Sequence, residues 1–373
     1  MLDTVILQLH QGQFSILDYK KFKTEKDFVR NQPSVFAKWI NNPTAEDKKS
    51  GVYKPRLTLN RRGWEQVLRI EFSAPKLIFN NNLEELEEND FDLVINTLWN
   101  RLREMGVMVY SKDLESAEVL SFHPSKNIQL NNGYTSSFVI RELNKIDIEK
   151  RFDIDVKDYR NGGQCLQLYT RVFSMVIYDK VNDYLRPQRR AIDKDKTKRQ
   201  KDIFEELKRS NHFFEMLRIE IRINGKRKIN EILLILGYEK NPCFKDVFKK
   251  DLLKSILLYC WEQIFKRNEF IFALEDSPQK IFESLLAKDP NMKVTKAFKI
   301  IGLYLLARDK EGIVGLRSVI DNYLPRKTNW EVVRRYLKIL EDKIERSSYG
   351  FIDDIEEGLI NLKAYKINSS NSK

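Results

Sequence analysis

Short segments in which apolar and polar residues alternate fill much of the first 235 residues of the chain. In the clearest of them, residues 217–223, every second position is leucine or isoleucine. A repeat of two residues indicates a β-strand that places one face in the protein core. This pattern, together with short runs rich in β-branched residues, predicts strands over residues 4–9, 53–59, 66–72, 107–110, 117–122, 164–169 and 173–177.

A β-hairpin is predicted between the strands at 53–59 and 66–72. Residues 60–63 read Asn-Arg-Arg-Gly, and both Asn60 and Gly63 tolerate the positive φ angles that tight turns require. We therefore expect Arg61 and Arg62 at the exposed tip of this hairpin.

Apolar residues spaced three or four positions apart mark the helices. Phe91, Leu98 and Leu102 belong to one such face, and Gly106 is a suitable residue to end the helix. After Gly237 only helical patterns follow, over residues 247–265, 281–286, 297–306, 313–324 and 330–344.

These patterns predict an α+β fold with two domains and a tail. Residues 1–238 would form an antiparallel sheet with packed helices, residues 239–348 an all-helical domain, and residues 349–373 a C-terminal tail. A length of 373 residues fits two domains.

The charge of the chain narrows the choice of partner. It carries 66 basic and 54 acidic residues, a net charge of +12. This excess favours nucleic acid, and less strongly an anionic membrane surface, although it also serves simply to keep a protein soluble. The three cysteines are odd in number and far apart, as is typical of a reducing compartment. With no apolar run of the ~20 residues that a membrane span needs and no signal-peptide pattern, we expect a soluble cytoplasmic protein.

Three glutamates occupy the middle of predicted strands: Glu71, Glu118 and Glu220. A buried carboxylate without a partner is strongly unfavourable. One explanation is that the three hold Mg²⁺ or Mn²⁺, which prefer oxygen ligands, with His123 reaching the same ion from its strand. The other is that each faces water, with Glu220 paired to the neighbouring Arg218 and Arg222.

Tyr178 follows a predicted strand and precedes Lys180 by two positions. A tyrosine hydroxyl with its ordinary pKa of about 10 is a weak nucleophile, and it needs a nearby cation or metal to favour the phenolate. Lys180 could meet that need, but the chain has 15 tyrosines, and a tyrosine at a strand end is usually a packing residue. No glycine-rich phosphate loop occurs, which argues against an NTP-driven enzyme.

Two basic segments are further candidates for contacts with nucleic acid. Residues 186–209, including Arg189 and Arg190, interleave basic and acidic side chains and predict an exposed loop that leads into a helix. Near the C-terminus, Thr328 and Glu331 predict a capping box at the start of the last helix. Two helices joined by so short a turn are typical of a helix-turn-helix and equally of an ordinary helical hairpin. In the first case four basic residues would face DNA: Arg326, Lys327, Arg334 and Arg335.

Taken together, these segments resemble the gene II/X family of phage and plasmid replication proteins. The most specific part is Arg218-x-Glu220-x-Arg222, which is similar to an Arg-x-Glu-x-Arg strand of that family. Tyr178 stands where the family has a tyrosine two residues before a lysine. Residues 1–7, 71–76 and 296–330 resemble its first strand, a strand that ends in a Ser-Ala-Pro-Lys cluster, and its C-terminal region.

The resemblance implies an enzyme that initiates rolling-circle replication of the filamentous-phage type. Tyr178 would attack one strand of the origin, form a 5′-phosphotyrosine link and leave a 3′ hydroxyl, and the enzyme would later rejoin the strand. Lys180 and Lys76 would contact the phosphate. Mg²⁺ or Mn²⁺ would be held by Glu220 and Glu118, with help from Glu71 or His123. The chain departs from the family at Ser116, where an arginine is expected, and at Glu118, where the family usually has aspartate.

The partners implied by the resemblance are origin DNA, both duplex and single-stranded, and a helicase and DNA polymerase of a bacterial host cell. The basic residues at the hairpin tip, Arg218, Arg222 and the two basic segments would contact the DNA. One alternative is a replication or copy-control protein that binds origin DNA without cutting it. Another is an RNA-binding or structural phage protein.

Overall fold

The computed structural model describes residues 1–24, 36–131, 133–146, 156–160, 163–185, 215–266, 277–309, 311–324, 327–343 and 349–367. The strands are β1 Leu2–His10, β2 Phe14–Ile16, β3 Lys23–Thr24, β4 Phe36–Asn41, β5 Arg56–Arg62, β6 Glu65–Ser73, β7 Val107–Val109, β8 Glu118–Gln129, β9 Val156–Arg160, β10 Cys165–Tyr169, β11 Phe173–Asp179 and β12 Met216–Asn224. Ten of these described strands form one antiparallel sheet in the order β3-β4-β5-β6-β1-β8-β12-β11-β10-β9, and β2 pairs with β7.

The helices are α1 Ala45–Lys49, α2 Ala74–Phe79, α3 Phe91–Glu104, α4 Ser111–Glu115, α5 Ser136–Leu143, α6 Lys180–Leu185, α7 Lys226–Ile235, α8 Phe244–Val247, α9 Lys250–Ile264, α10 Pro278–Lys288, α11 Val294–Arg308, α12 Gly312–Tyr323, α13 Lys327–Lys343 and α14 Gly350–Asn361. Short 3₁₀ helices cover Tyr19–Lys21 and Glu88–Asp90. The predicted α+β class with an antiparallel sheet is confirmed. None of the described helices combines the length and apolar composition that crossing a bilayer requires.

One face of the sheet lies in the hydrophobic core. In β12, Leu217, Ile219, Ile221 and Ile223 point to this face and are fully buried, as the alternation of the sequence predicts. Helix α9 packs against β8 and β12, and α14 packs against β8. The alternate residues of β12, including Arg218 and Glu220, therefore lie on the opposite face of the sheet, which we call the polar face.

Strand β8 crosses the centre of the sheet although it contains Pro124, which has no N–H group to donate to a neighbouring strand. Pro124 pairs with Leu2 of β1, and the register of these two strands shifts between Leu2 and Val5. Asp3 lies within the irregular stretch. The predicted end of this strand at residue 122 is wrong, because the strand continues through the proline to Gln129.

The predicted hairpin is present. Strands β5 and β6 pair from Arg56 opposite Glu71 to Arg62 opposite Glu65. Gly63, in the turn, has a φ of +59°, a left-handed conformation that glycine adopts readily. Trp64 completes this two-residue turn.

Among the described residues, the helices after residue 238 share one hydrophobic core with the sheet. Buried residues of α9, α11 and α14 belong to the same continuous cluster as those of β1, β8 and β12. The predicted boundary therefore does not separate two cores.

The prediction of a tail over residues 349–373 is wrong for its first half, which forms α14. Phe351, Ile352, Ile355 and Leu359 are buried on one face of this helix, a spacing of three and four residues that the sequence already contained. The ring centroids of Phe351 and Tyr134 lie 5.5 Å apart, so the helix is joined to the loop after β8.

We predict that α14 stabilises the whole fold. Ile355→Ala removes a fully buried side chain and should lower the free energy of unfolding by about 3 kcal/mol. Ile360→Ala is the matched control, since Ile360 lies in the same helix and is 50% exposed, and it should change stability by less than ~0.5 kcal/mol. Urea unfolding at a constant m value measures both. Equal effects of the two substitutions would contradict the packing of α14.

Candidate functional site

Tyr178 lies on the polar face at the end of β11, directly opposite Arg218 of β12. Its hydroxyl donates a hydrogen bond of 3.4 Å to Oε2 of Glu220. Burial raises the pKa of Tyr178 well above its ordinary value, and the negative charge of Glu220 adds to this effect although Arg218 opposes it. The hydroxyl is therefore protonated at neutral pH, and any reaction in which it is a nucleophile needs a group that takes its proton.

Glu220 is the carboxylate at the centre of the site. Arg222 Nε lies 2.8 Å from its Oε1, His123 Nδ1 lies 3.4 Å from the same oxygen, and Arg218 Nε lies 3.7 Å from Oε2. Burial raises the pKa of Glu220, but Arg222, the hydrogen bond from His123 and Arg218 together hold this pKa well below its usual range. Glu220 is consequently a carboxylate that aligns cations and is a poor proton acceptor.

The guanidinium of Arg218 is 1% exposed and connects three strands of the sheet. Its NH2 group lies 3.0 Å from a carboxylate oxygen of Asp3 in β1 and 3.0 Å from Oγ of Ser125 in β8. Its NH1 group donates to Oδ1 of Asn127 at 3.1 Å and to the carbonyl of Asn82 at 3.0 Å. Its Nε makes no hydrogen bond among the described residues, so one buried donor still faces Glu220.

Lys180 is the first residue of α6 and is 4% exposed. Its Nζ lies 5.7 Å from the centroid of the Tyr178 ring. Burial lowers the pKa of Lys180, and the charge of Arg218 lowers it further, to about 7, although Asp3 acts in the opposite direction. Near neutral pH an appreciable fraction of Lys180 is therefore an uncharged amine, which can accept a proton.

Asp3 completes the cluster, and the sequence analysis missed it. Burial raises the pKa of Asp3, but Arg218, Lys180 and, more weakly, Lys76 on α2 outweigh burial and lower this pKa. The signal was present in the sequence, because Asp3 is a charged residue at the start of a segment that is otherwise predicted to be buried. A buried carboxylate requires a cation as partner.

The cluster combines basic and acidic side chains around Tyr178. Arg218 and Arg222 are paired with Asp3 and Glu220. Lys180 lies beside the tyrosine ring, and the charge of Asp183 also acts on both Tyr178 and Lys180. Guanidinium groups present several N–H donors in a plane and suit the oxygens of a phosphate.

The four predicted metal ligands do not come together. Glu118 and Ser125, which pairs with Glu220, are seven residues apart in β8, a distance of roughly 20 Å at ~3.3 Å per residue. Glu71 lies in β6, three strands away from β12, or about 14 Å. All three glutamates share the polar face, but only Glu220 and His123 are in contact.

Glu118 and Glu71 have separate partners. Glu118 contacts Lys226, and its Oε2 lies 3.2 Å from Nε2 of His10. Glu71 lies 3.9 Å from Arg69 in a solvent-exposed pair. In the part of the chain that the structure describes, no group of three or more His, Cys, Asp or Glu side chains is arranged to hold a metal ion. The oxygens of Glu220 face two arginines, a setting that does not fit a divalent cation.

The predicted DNA contacts outside the cluster are dispersed. Arg61 is exposed near the hairpin tip, and Arg62 ends β5. Arg189, Arg190 and Arg326 lie outside the described residues. The final predicted helix, α13, is described from Lys327 onward, and the residues directly before it lie outside the described part of the chain, so the capping box stays a prediction. Two arginines of α13 are exposed, Arg334 and Arg335. A helix-turn-helix role for α12 and α13 stays a prediction.

Comparison of the chain with protein-family models, with curated proteins and with solved structures found no match. The resemblance to the gene II/X family therefore stays a prediction that depends on the residues of this chain alone.

We predict that Arg218 is required for stability. Arg218→Met keeps most of the side-chain volume but leaves Asp3 and Glu220 buried without their shared cation, and the free energy of unfolding should fall by about 3 kcal/mol or more. Arg69→Met is the matched control on the same face, because the Arg69 side chain is 43% exposed, and it should cost less than ~1 kcal/mol. Chemical denaturation of both variants measures the difference, and similar losses would contradict the buried network.

Proposed function

We propose that this chain is an initiator of rolling-circle replication that nicks and rejoins one strand of origin DNA through Tyr178. The observation that carries the proposal is the position of the Tyr178 hydroxyl, 3.4 Å from Oε2 of Glu220, a carboxylate that is itself paired with Arg218 and Arg222. Lys180 Nζ lies 5.7 Å from the centroid of the tyrosine ring. The Arg218-x-Glu220-x-Arg222 pattern places all three of its charged side chains on the face that carries Tyr178. This is the part of the sequence that most specifically resembles the gene II/X family.

In the proposed reaction, the oxygen of Tyr178 attacks the scissile phosphorus and the bond from phosphorus to the 3′ oxygen breaks. The uncharged amine of Lys180 accepts the phenol proton, and the released 3′ oxygen takes up a proton from solvent water to become a hydroxyl. Arg222, whose side chain is 33% exposed, stabilises the negative charge that develops on the phosphate oxygens, and the buried positive charge of Arg218 adds to the local positive potential. Glu220 acts as a positioning residue that holds both guanidiniums in place.

The covalent link preserves the energy of the phosphodiester bond. Attack of the 3′ hydroxyl on the phosphotyrosine reverses the reaction and rejoins the strand, so that no nucleotide hydrolysis is required. While the link exists, the 3′ end is available to a host polymerase, and a host helicase would separate the strands.

A requirement for Mg²⁺ or Mn²⁺ stays a prediction, and no step of this mechanism passes through a metal. The donor set of the site, with two arginines on Glu220, is better suited to a phosphate than to a cation. Nicking assays with Mg²⁺, with Mn²⁺ and with EDTA test the requirement directly.

We predict that Tyr178→Phe abolishes covalent attachment to DNA. The substrate is a supercoiled plasmid that carries the DNA of the genetic element encoding this chain. The wild type should produce nicked circles with protein at the 5′ end and a 3′ end that a polymerase extends. Tyr169→Phe, on the neighbouring strand β10, is the matched control and should nick normally.

Two other results of this nicking assay would contradict parts of the proposal. Equal nicking by Tyr178→Phe would overturn the assignment of the nucleophile. DNA binding without nicking by any variant would favour the origin-binding protein that does not cut DNA.

We predict that nicking depends on the protonation of Lys180. The pKa of about 7 means that the amine is protonated at lower pH and uncharged above it. The rate should therefore rise about tenfold per pH unit below pH 7 and level off above it. Lys180→Arg, which stays protonated, should lose about 100-fold or more of the rate, whereas Lys299→Arg on the exposed surface of α11 should not. A rate that does not change with pH across this range would contradict a role for Lys180 as the base.

A further inference from the structure

Several exposed turns lie at one end of the sheet. The β5–β6 turn, the end of β1, the beginning of β8, the end of β12 and the β10–β11 turn all lie at this end. They are staggered, because Asn224 at the end of β12 is level with Glu71 and the β5–β6 turn extends seven residues further. We call this set of turns the basic rim. Among the side chains that the structure describes, its exposed basic residues include Arg61, Arg171, Lys226 and Arg227.

Trp64 stands at the tip of the hairpin within the basic rim. It is 96% exposed, although exposure of so large an apolar surface to water is unfavourable. The turn that carries it is held by paired strands, from Arg62 opposite Glu65 onward. The indole is therefore presented on a fixed support rather than packed against the protein.

The charge around Trp64 favours an anionic partner. Among the described residues at this end of the sheet, four exposed basic side chains accompany the acidic residues Glu65 and Glu118, and Glu118 is paired with one of them, Lys226. An aromatic ring combined with basic side chains is the arrangement with which proteins bind single-stranded nucleic acid, since bases stack on the ring and phosphates contact the cations.

The distance from the rim to Tyr178 suits one DNA strand. In β12 six residues separate Arg218, which is opposite Tyr178, from Asn224. Through the strand pairs Asn224 is level with Glu71 of β6, and seven further residues lead from Glu71 to Trp64. Thirteen residues span about 43 Å along the strands, which corresponds to roughly 13 stacked nucleotides at ~3.4 Å each. A strand held at Tyr178 can therefore reach the rim along the polar face.

We propose that Trp64 stacks on an unpaired base of the DNA strand whose phosphate is held at Tyr178, and that the basic rim binds the adjoining phosphates. The proposal rests on the proposed function, and it assigns Trp64 as a binding residue that the sequence did not identify. A membrane surface, which exposed tryptophans also enter, is the competing partner.

Binding of full-length protein to a fluorescent oligothymidylate strand, followed by anisotropy, tests this proposal without any cleavage step. Trp64→Ala should weaken binding about tenfold, and Trp64→Phe, which keeps a ring, should restore most of the affinity. Tyr323→Ala is the matched control, because Tyr323 is an aromatic residue on α12 that is 81% exposed. Arg227→Gln should reduce the salt dependence of binding, and Lys299→Gln should leave it unchanged.

The proposal would be overturned if Trp64→Ala bound oligothymidylate with unchanged affinity. It would also be overturned if Trp64→Ala lost binding to phosphatidylglycerol vesicles but kept its binding to DNA. The two proposals fail in different ways. If Trp64→Ala weakens binding but no protein nicks, the base-binding role stands and the nicking function falls. If Trp64→Ala weakens binding and Tyr178→Phe still nicks, the base-binding role stands and the assignment of Tyr178 as nucleophile falls. If Trp64→Ala binds and nicks like the wild type, only the base-binding role falls.

Discussion

The buried guanidinium of Arg218 is the interaction on which the polar face depends. It bonds to Asp3 in β1, to Ser125 and Asn127 in β8 and to the carbonyl of Asn82, so that one side chain ties three adjacent strands and a loop together. A guanidinium removed from water needs all of its charge compensated by fixed neighbours. The same neighbours determine the chemistry beside it, because Arg218 lowers the pKa values of Glu220 and Lys180.

The backbone contributes to this arrangement through Pro124. Because proline cannot donate to an adjacent strand, regular pairing of β1 with β8 is interrupted, and Asp3 lies in the interrupted stretch. Its carboxylate is thereby able to reach Arg218 at 3.0 Å across the intervening strand. Pro124, which interrupts the regular strand pairing, thus lies close to Asp3, the carboxylate that pairs with Arg218.

The charged side chains on the polar face form two separate groups, one near Tyr178 and one toward the basic rim. Near Tyr178 the carboxylate that accepts the hydrogen bond of the tyrosine, Glu220, is already paired with two arginines. Toward the basic rim Glu118 is paired with Lys226 and His10. Carboxylates that look equivalent in the sequence therefore have different surroundings, and this separation favours phosphate binding over a shared metal site at the tyrosine.

The sequence by itself determined the clearest local elements and, in a regular strand such as β12, the side of the sheet on which each residue lies. The alternation at 217–223 is sufficient to place Arg218, Glu220 and Arg222 on one face, because side chains in a strand alternate with a period of two. It could not show that Glu118 and Glu71 are distant from Glu220, that Asp3 is the partner of Arg218, or that α14 completes the core. These relations depend on strand order and register, and contacts between residues 3, 125 and 218 arise only when the chain is folded.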